Sequence, residues 1–551
     1  MLFDWATPEV RFVVENTLPR KGQTFEEREK EINDYIRQIT KDDSYADRMW
    51  SYRKNPWLSF STPIHSNFGT DKGLPISCFG TFVEDSIESM GECITEHMAE
   101  GKRGGGTSAN YSAVRPKGSP ISSGGVANGP TFYIRFNDTV MDIVSQGNSR
   151  RGNCAVYLSV DHQDIFDFLA IRSDGHFIQN LSFGVTIPEG WMQAMVDGDK
   201  KKRKIWAKIL EIRSKIGYPY IVFLDNAKEG APNVYKLSSF YNIGQSNLCT
   251  EIMLPNNKDE SFVCCLASLN VLYYDEWKNT KIVEDSIRFL DLVISDFIEK
   301  ASKIKYMERP VEFARNHRAL GLGQMGWHSY LQSKMIPYES WEAKRLNVEI
   351  AKIIKERAYK ESEKLGRDLG IPKAFEGSKD IPRRNTTLLA IAPTKSSAFV
   401  MGQVSESTEP LQANIFIEDK QKIKHTYKNP YLKKILAEKG KDIQEIWDRI
   451  AKDRGSVQKL DFLSDHEKEV FKTFSEISQM EVIIQASQRQ KYIDQGQSVN
   501  LMIHPKTPAR DINNLYIEAW RLGLKSLYYQ KSINAAQEFS RSLIECSACE
   551  A

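Results

Sequence analysis

Between residues 57 and 270 the chain alternates short apolar runs with helical stretches, and Gly, Ser, Asn and Pro bound the runs. Phe132-Tyr133-Ile134, Ala155-Val156-Tyr157-Leu158 and Ile221-Val222-Phe223-Leu224 are examples. Runs of this length and setting read as buried strands. Trp191 to Val196 and Lys204 to Ile216 read as helices between them. Strands that alternate with helices predict a parallel α/β architecture, which leaves all-helical and all-β folds aside.

Composition narrows the function classes. The 551 residues carry 75 Lys+Arg against 72 Asp+Glu, a net charge of +3, so there is no polyelectrolyte signature of a nucleic-acid binder. Hydrophobic residues make up 41%, enough for a sizeable core. No run approaches the roughly 18 charge-free apolar residues of a membrane span. Met1-Leu2-Phe3-Asp4-Trp5 lacks the basic start and apolar run of a secretory signal, so a cytoplasmic chain is expected. Cys78, Cys93, Cys154, Cys249, Cys264, Cys265, Cys546 and Cys549 are too sparse for a disulfide scaffold. Each is core filler, metal ligand or redox group. None of the nine histidines sits in an H-x-x-x-H or H-x-x-E-H arrangement.

The flanking segments are helical in texture. Glu26 to Ile39 is charged, with apolar Ile32, Tyr35 and Ile36. A helix is predicted over Lys281 to Lys303, and another from Trp341 to Leu369, capped by Ser340 and stopped at Gly370-Ile371-Pro372. Residues 417–480 are Lys/Glu-rich and read as solvated surface helices. A helix ends near Leu522, and the residues after Phe539 read as a tail.

Several segments carry side chains with chemistry. In Asn247-Leu248-Cys249-Thr250-Glu251 a carboxamide, a thiol and a carboxylate occupy odd positions, which face one way if the segment is extended. A core cysteine beside an exposed Glu is the plainer reading of the same residues. Cys78 follows Ser77, and Cys264 lies in the apolar run Val263-Cys264-Cys265-Leu266, where a thiol is also a small hydrophobe. Cys546-Ser-Ala-Cys549 has only two residues after it, so it reads as a dithiol on an arm or, alternatively, half a zinc site. Tyr528-Tyr529 follows the last helix. Ala392-Pro393-Thr394-Lys395-Ser396-Ser397 follows the apolar run 388–391 and can hold a phosphate on amides and hydroxyls, although it is not a Walker A loop. Gly104-Gly105-Gly106 reads as a flexible loop.

Taken together, these segments resemble the large (alpha, catalytic) subunit of class I ribonucleotide reductase, over residues 55–551. The carriers are Asn247-Leu-Cys249-Thr-Glu251, Leu527-Tyr528-Tyr529-Gln530 and Cys546-x-x-Cys549. Arg115-Pro-Lys-Gly-Ser-Pro120, Arg384-Asn385 and Ala392-Pro393-Thr394 add support. The resemblance implies a ten-stranded α/β barrel made of two antiparallel five-stranded parallel half-sheets, with a finger loop that carries the radical cysteine. It implies a helical lead-in over 1–57, a barrel over 58–535 and a redox-active tail over 536–551. It also implies reduction of ribonucleoside diphosphates to 2′-deoxyribonucleoside diphosphates by thiyl-radical chemistry. Cys249 would be the thiyl, Glu251 the general base and Asn247 a ribose contact. Cys78 and Cys264 would supply electrons, and Cys265 would point away from them. Cys546 and Cys549 would pass the oxidation to thioredoxin or glutaredoxin. Tyr528 and Tyr529 would relay the radical from a beta subunit, which holds the metallocofactor; no tightly bound cofactor or metal is expected on this chain.

Thr62 and Ser77 match substrate contacts, and Pro393, Thr394, Lys395, Ser396 and Ser397 match the phosphate loop. Asp85, Ser86, Ile87 and Arg115 match contacts to a dNTP or ATP specificity effector, and Arg150 or Arg151 falls in the loop that reports effector identity. A homodimer is implied, with no nucleic-acid or membrane partner, in the cytoplasm (the host's, if the source is viral). About 60 residues precede Thr62, too few for an N-terminal ATP cone plus the usual helical domain, so no cone-type activity site is expected. Two rival readings are a thiol-disulfide oxidoreductase that uses only Cys546-x-x-Cys549, and an inactive nucleotide-binding homologue.

Overall fold

The computed structural model describes residues 3, 5–16, 18, 22–146, 150–420 and 423–532. Its centre is a sheet of nine strands: β1 (Leu58–Phe60), β2 (Cys78–Phe82), β3 (Thr107–Asn110), β4 (Cys154–Ser159), β5 (Ser182–Ile187), β6 (Tyr220–Phe223), β7 (Phe262–Asn270), β8 (Leu320–Met325) and β9 (Ser526–Leu527). β2 to β6 run parallel in chain order. Their residues are buried almost throughout, as a sheet covered by helices requires.

β7 turns the direction over. It pairs antiparallel with β2 and parallel with β8. From β8 the parallel series continues through single bridges, Leu322 to Leu389 and Ile391 to Gln497. Residues 501–502 then pair parallel with 530–531, and β9 pairs antiparallel with β6. The ring is thereby closed by two five-membered parallel half-sheets that meet antiparallel at β2/β7 and at β6/β9. This is the expected ten-stranded barrel, with its last segments held by short bridges rather than long ladders.

The helices follow the sequence signals closely. Trp341–Leu369 is one 29-residue helix whose Ser340 hydroxyl accepts the Ala343 amide. Ile282–Ala301 packs a buried stripe against β7, β8 and that long helix. Ahead of the barrel, Phe25–Thr40 starts with a capping box from Thr24 and Glu27. Its Arg28 guanidinium donates to the carbonyls of His65 and Phe68, each at 2.6 Å, which ties the lead-in to the short helix Thr62–Asn67. No helix among the described residues is long and apolar enough to cross a membrane.

Two local readings are corrected. Phe132-Tyr133-Ile134 is not a strand but part of the helix Pro130–Ile143, which Pro130 starts at its first position. Residues 417–480 are not all solvated helix. Ile415–Lys420 and Ile423–Lys428 form an antiparallel hairpin, and the helices after it enclose a small core of their own around Leu432, Trp447 and Phe471.

Candidate active site

The segment between β6 and β7 enters the barrel, and strands from both halves hold it there. The Tyr157 hydroxyl of β4 donates to the Asn247 carbonyl at 2.6 Å. From the opposite half, the Ser498 hydroxyl donates to the Cys249 carbonyl at 2.5 Å, and the Ser526 hydroxyl donates to the Thr250 carbonyl at 2.9 Å. The Gly496 amide donates to the Glu251 carbonyl at 2.7 Å. A Cβ on Gly496 would stand 3.1 Å from that carbonyl oxygen, so this close approach favours glycine. The loop is not extended, contrary to the simplest sequence reading. Thr250 adopts a left-handed φ of 66°, and the chain turns through Cys249. Asn247, Cys249 and Glu251 nevertheless line one cleft.

That cleft opens to solvent, and the empty space in it and at its mouth together comes to about 770 Å³. Ser61, Thr62, Ser77, Cys78 and Ser268 line one wall, and Pro393 to Ser397 line another. The buried hydroxyls of Ser61 and Ser77 have no hydrogen-bond partner among the described residues. Thr394 precedes the short helix Lys395–Val400 in a left-handed conformation, with its hydroxyl oxygen accepting the Ser407 amide at 2.7 Å. The cleft thus combines free hydroxyls, a helix start and the Lys395 cation, a set suited to an anionic, hydroxyl-rich ligand.

Glu251 is the principal titratable group of the cleft. It is 1% exposed, and burial raises its pKa from 4.5 to about 7, against hydrogen bonds from its own backbone, Asn247 and Ser498 that favour the ionised form. The Ser498 hydroxyl lies 3.3 Å from its carboxylate. A carboxyl near neutrality exchanges protons readily at physiological pH, as a general base must.

The register of the sheet brings the distant cysteines together. Cys78 of β2 lies directly opposite Cys264 of β7 in the antiparallel pair. Such positions hold Cα atoms about 4.5–5.5 Å apart with side chains on one face. That is within the roughly 7 Å limit for a disulfide. Cys78 lines the cleft, with the Asn247 carboxamide donating to its sulfur at 3.1 Å. Cys264 sits behind it, fully buried, with the Gln495 carboxamide donating to its sulfur at 3.5 Å. Cys265 faces the other side, its thiol against the Leu290 carbonyl at 3.5 Å.

Tyr528 and Tyr529 are buried with ring centroids 4.2 Å apart. The Asn500 carboxamide oxygen accepts the Tyr529 amide at 3.0 Å. Away from the cleft, Arg115 and Asp85 meet each other: the guanidinium pairs with the carboxylate at 2.7 Å, and the Arg115 amide donates to it at 3.0 Å. Ser86 caps the helix Ile87–Gly101 through the Ser89 amide, and Ile87 is exposed. Arg150 and Arg151 form one arm of a two-residue ladder with Ser145 and Gln146. Cys546 and Cys549 lie outside the described residues. Sequence reasoning missed Ser61, Tyr157, Ser268, Gln495 and Ser498, which reach the site only through the closure of the barrel.

The ribonucleotide reductase barrel domain family matches this chain over residues 76–202, 198–383 and 380–530. The putative ribonucleoside-diphosphate reductase large subunit of Frog virus 3 is 34% identical, over 92% of this chain and 92% of its own length. The ribonucleoside-diphosphate reductase large subunit of Invertebrate iridescent virus 3 is 31% identical, over 89% of this chain and 88% of its own. Among solved structures, the Actinobacillus ureae class Id ribonucleotide reductase alpha subunit superposes with a TM-score of 0.91 at 46% identity, covering 99% of both chains. The closed ten-stranded barrel with its inserted loop, and these likenesses over nearly the whole length, lead to one conclusion: the chain belongs to the ribonucleotide reductase family, as a ribonucleoside-diphosphate reductase large subunit.

Proposed function

We propose that the cleft binds a ribonucleoside diphosphate and that the residues around it divide the reduction as follows. The phosphates lie against Thr394 to Ser397 and Pro393, and Thr62 and Ser77 contact the sugar. Cys249, as a thiyl radical, takes the 3′-hydrogen. Glu251 takes the 3′-hydroxyl proton, and Asn247 holds the ribose hydroxyls. Cys78 protonates the departing 2′-oxygen, which leaves as water. Cys78 and Cys264 supply two electrons and end as a disulfide, and Cys249 returns its hydrogen to C3′. Overall, two thiols and one C–OH become one disulfide, one C–H and water. The observation that carries this reading is the convergence of Asn247, Cys249, Glu251 and Cys78 on one cleft, with Cys264 directly across from Cys78.

A large subunit of this family works with a beta subunit. The radical comes from that partner's metallocofactor, through Tyr529 and Tyr528. Cys546 and Cys549, on the segment 536–551, carry the oxidation from the buried disulfide to a thioredoxin- or glutaredoxin-like donor by thiol–disulfide exchange. A dNTP or ATP effector binds near Asp85, Ser86, Ile87 and Arg115, with Arg150 or Arg151 in the reporting loop. Ile87 and Met98 on one helix, and Phe132, Phe136 and Ile143 on the next, expose apolar surface beside that site, which supports a homodimer across these two helices. The working compartment is the cytoplasm, where the thiols stay reduced.

Single turnover tests the reading. Reduced Cys546→Ser/Cys549→Ser protein, which cannot pass the oxidation on to its tail, is combined with a beta subunit, CDP and effector without external reductant, then quenched and mapped by mass spectrometry. The expected result is a burst of dCDP matched by a Cys78–Cys264 disulfide. A burst in which Cys78 and Cys264 remain thiols contradicts it.

A further inference from the structure

Tyr528 and Tyr529 sit in a larger group of phenols. Tyr220, the first residue of β6, and Tyr218, two residues ahead of it, bring two more hydroxyls to the same place. The Tyr220 hydroxyl donates to the Tyr529 oxygen at 2.8 Å, and the Tyr218 hydroxyl lies 3.0 Å from that same oxygen. The Tyr220 ring is 4.7 Å from the Tyr528 ring and 5.2 Å from the Tyr529 ring; the Tyr218 ring is 5.1 Å from Tyr529 and nearly perpendicular to it. None of the four is more than 4% exposed. The far side of Tyr218 is fixed as well: Phe183 stacks on it at 5.4 Å, the Arg172 guanidinium covers it at 4.7 Å, and the Ser182 hydroxyl lies 3.3 Å from its oxygen.

A buried tyrosine needs one partner for its hydroxyl, and a backbone carbonyl usually serves. Two phenols converging on the oxygen of a third is more than packing asks. The arrangement does suit an oxidised Tyr529. A phenoxyl oxygen carries no hydrogen and can only accept, and here two donors stand within reach in a site that excludes water.

We infer that Tyr218 and Tyr220 are positioning residues of the radical relay: they fix the Tyr529 phenol and both donate to its oxygen while it is a phenoxyl radical. The inference rests on the relay reading of Tyr528 and Tyr529. In the step concerned, Tyr529 gives one electron and its hydroxyl proton to the radical of the beta subunit. It then regains both from the Tyr528 hydroxyl. Tyr218 and Tyr220 keep their own protons and electrons throughout. Loss of either donor removes one hydrogen bond from the oxidised state, which amounts to about a tenfold fall in kcat.

The test places 3-aminotyrosine, which oxidises more easily than tyrosine and so retains the radical, at position 529 of the full chain. The protein is combined with a beta subunit, CDP and effector. High-field electron paramagnetic resonance reads g_x, which rises as hydrogen bonds to the radical oxygen are lost. Tyr218→Phe and Tyr220→Phe should each raise g_x. In the chain without the amino group, each should lower kcat about tenfold and leave KM for CDP unchanged. An unmoved g_x in either variant overturns the inference, whatever happens to kcat. If a Phe variant does not fold, 3-fluorotyrosine at that position, nearly the same size and a stronger donor, must lower g_x instead; no change overturns the inference. Tyr529→Phe separates the two readings. If it turns over normally, the relay reading fails and this inference falls with it. If it is inactive while g_x is insensitive to residues 218 and 220, only this inference fails.

Discussion

Replacing Glu251 with Gln removes a charge from the cleft while keeping the shape of the side chain, and the consequences can be worked out from its surroundings. Burial raises the carboxyl pKa from 4.5 to about 7. The protonated form is therefore favoured in the folded protein. Stability from this group is fully present below pH 4.5 and is lost as pH rises from there through 7. A displacement of this size corresponds to about 3 kcal/mol at pH 8. With about 2.1 cal/mol/K of unfolding entropy per residue over 551 residues, Glu251→Gln should raise Tm by about 3 °C at pH 8 and by nearly nothing at pH 4.5. Differential scanning calorimetry of the two proteins across that range measures it. Other buried groups that titrate in the same window, such as Lys525, cancel in the difference. The kinetic side has the opposite sign. Ionised Glu251 is the base, so kcat/KM for CDP should fall about tenfold per pH unit below about 7. The Gln variant should lose that limb and run about 10² to 10⁴-fold slower. A Tm difference that is the same at pH 4.5 and pH 8 would refute the burial argument, and an unchanged acid limb in the variant would refute the role of base.

The cysteines separate by position. Cys264→Ser should abolish multiple turnover with any dithiol. Cys265→Ser, on the opposite face of β7, should keep turnover with at most a modest loss of stability, as measured by dCDP formation and Tm. Cys546→Ser should stop turnover driven by thioredoxin and leave turnover driven by dithiothreitol, a difference read in one steady-state assay with the two reductants. Tyr529→Phe should eliminate dCDP formation with a competent beta subunit; retained activity removes the relay.

Part of the cleft lining was legible in the sequence, and its arrangement less so. Asn247, Cys249 and Glu251 stand in order in five residues, but alternate facing is a property of extended chain. The left-handed Thr250 brings them to one cleft by a turn instead. The choice of Cys264 over Cys265 came from the resemblance to the reductases; the β2–β7 register supplies its physical reason, because neighbours on a strand face opposite ways. Ser498 and Gln495 carried no local signal. Their meaning arises when residues about 240 positions later in the chain close the barrel against the loop. The misread elements have local causes. Pro130 begins a helix whose first residues, Phe132 to Ile134, look strand-like in isolation. In 415–428, a high charge content masked a hairpin, and the apolar residues of the following helices are spaced for a small core rather than for solvent.

In the proposed reaction, Cys249 starts the chemistry on the nucleotide. The direct measurement is dCDP formation by the full chain with a beta subunit, dithiothreitol and effector, comparing the native protein with Cys249→Ser and confirming that the variant still binds CDP. The variant should form no dCDP above background, in single or multiple turnover. Measurable dCDP from folded, CDP-binding Cys249→Ser protein would contradict it.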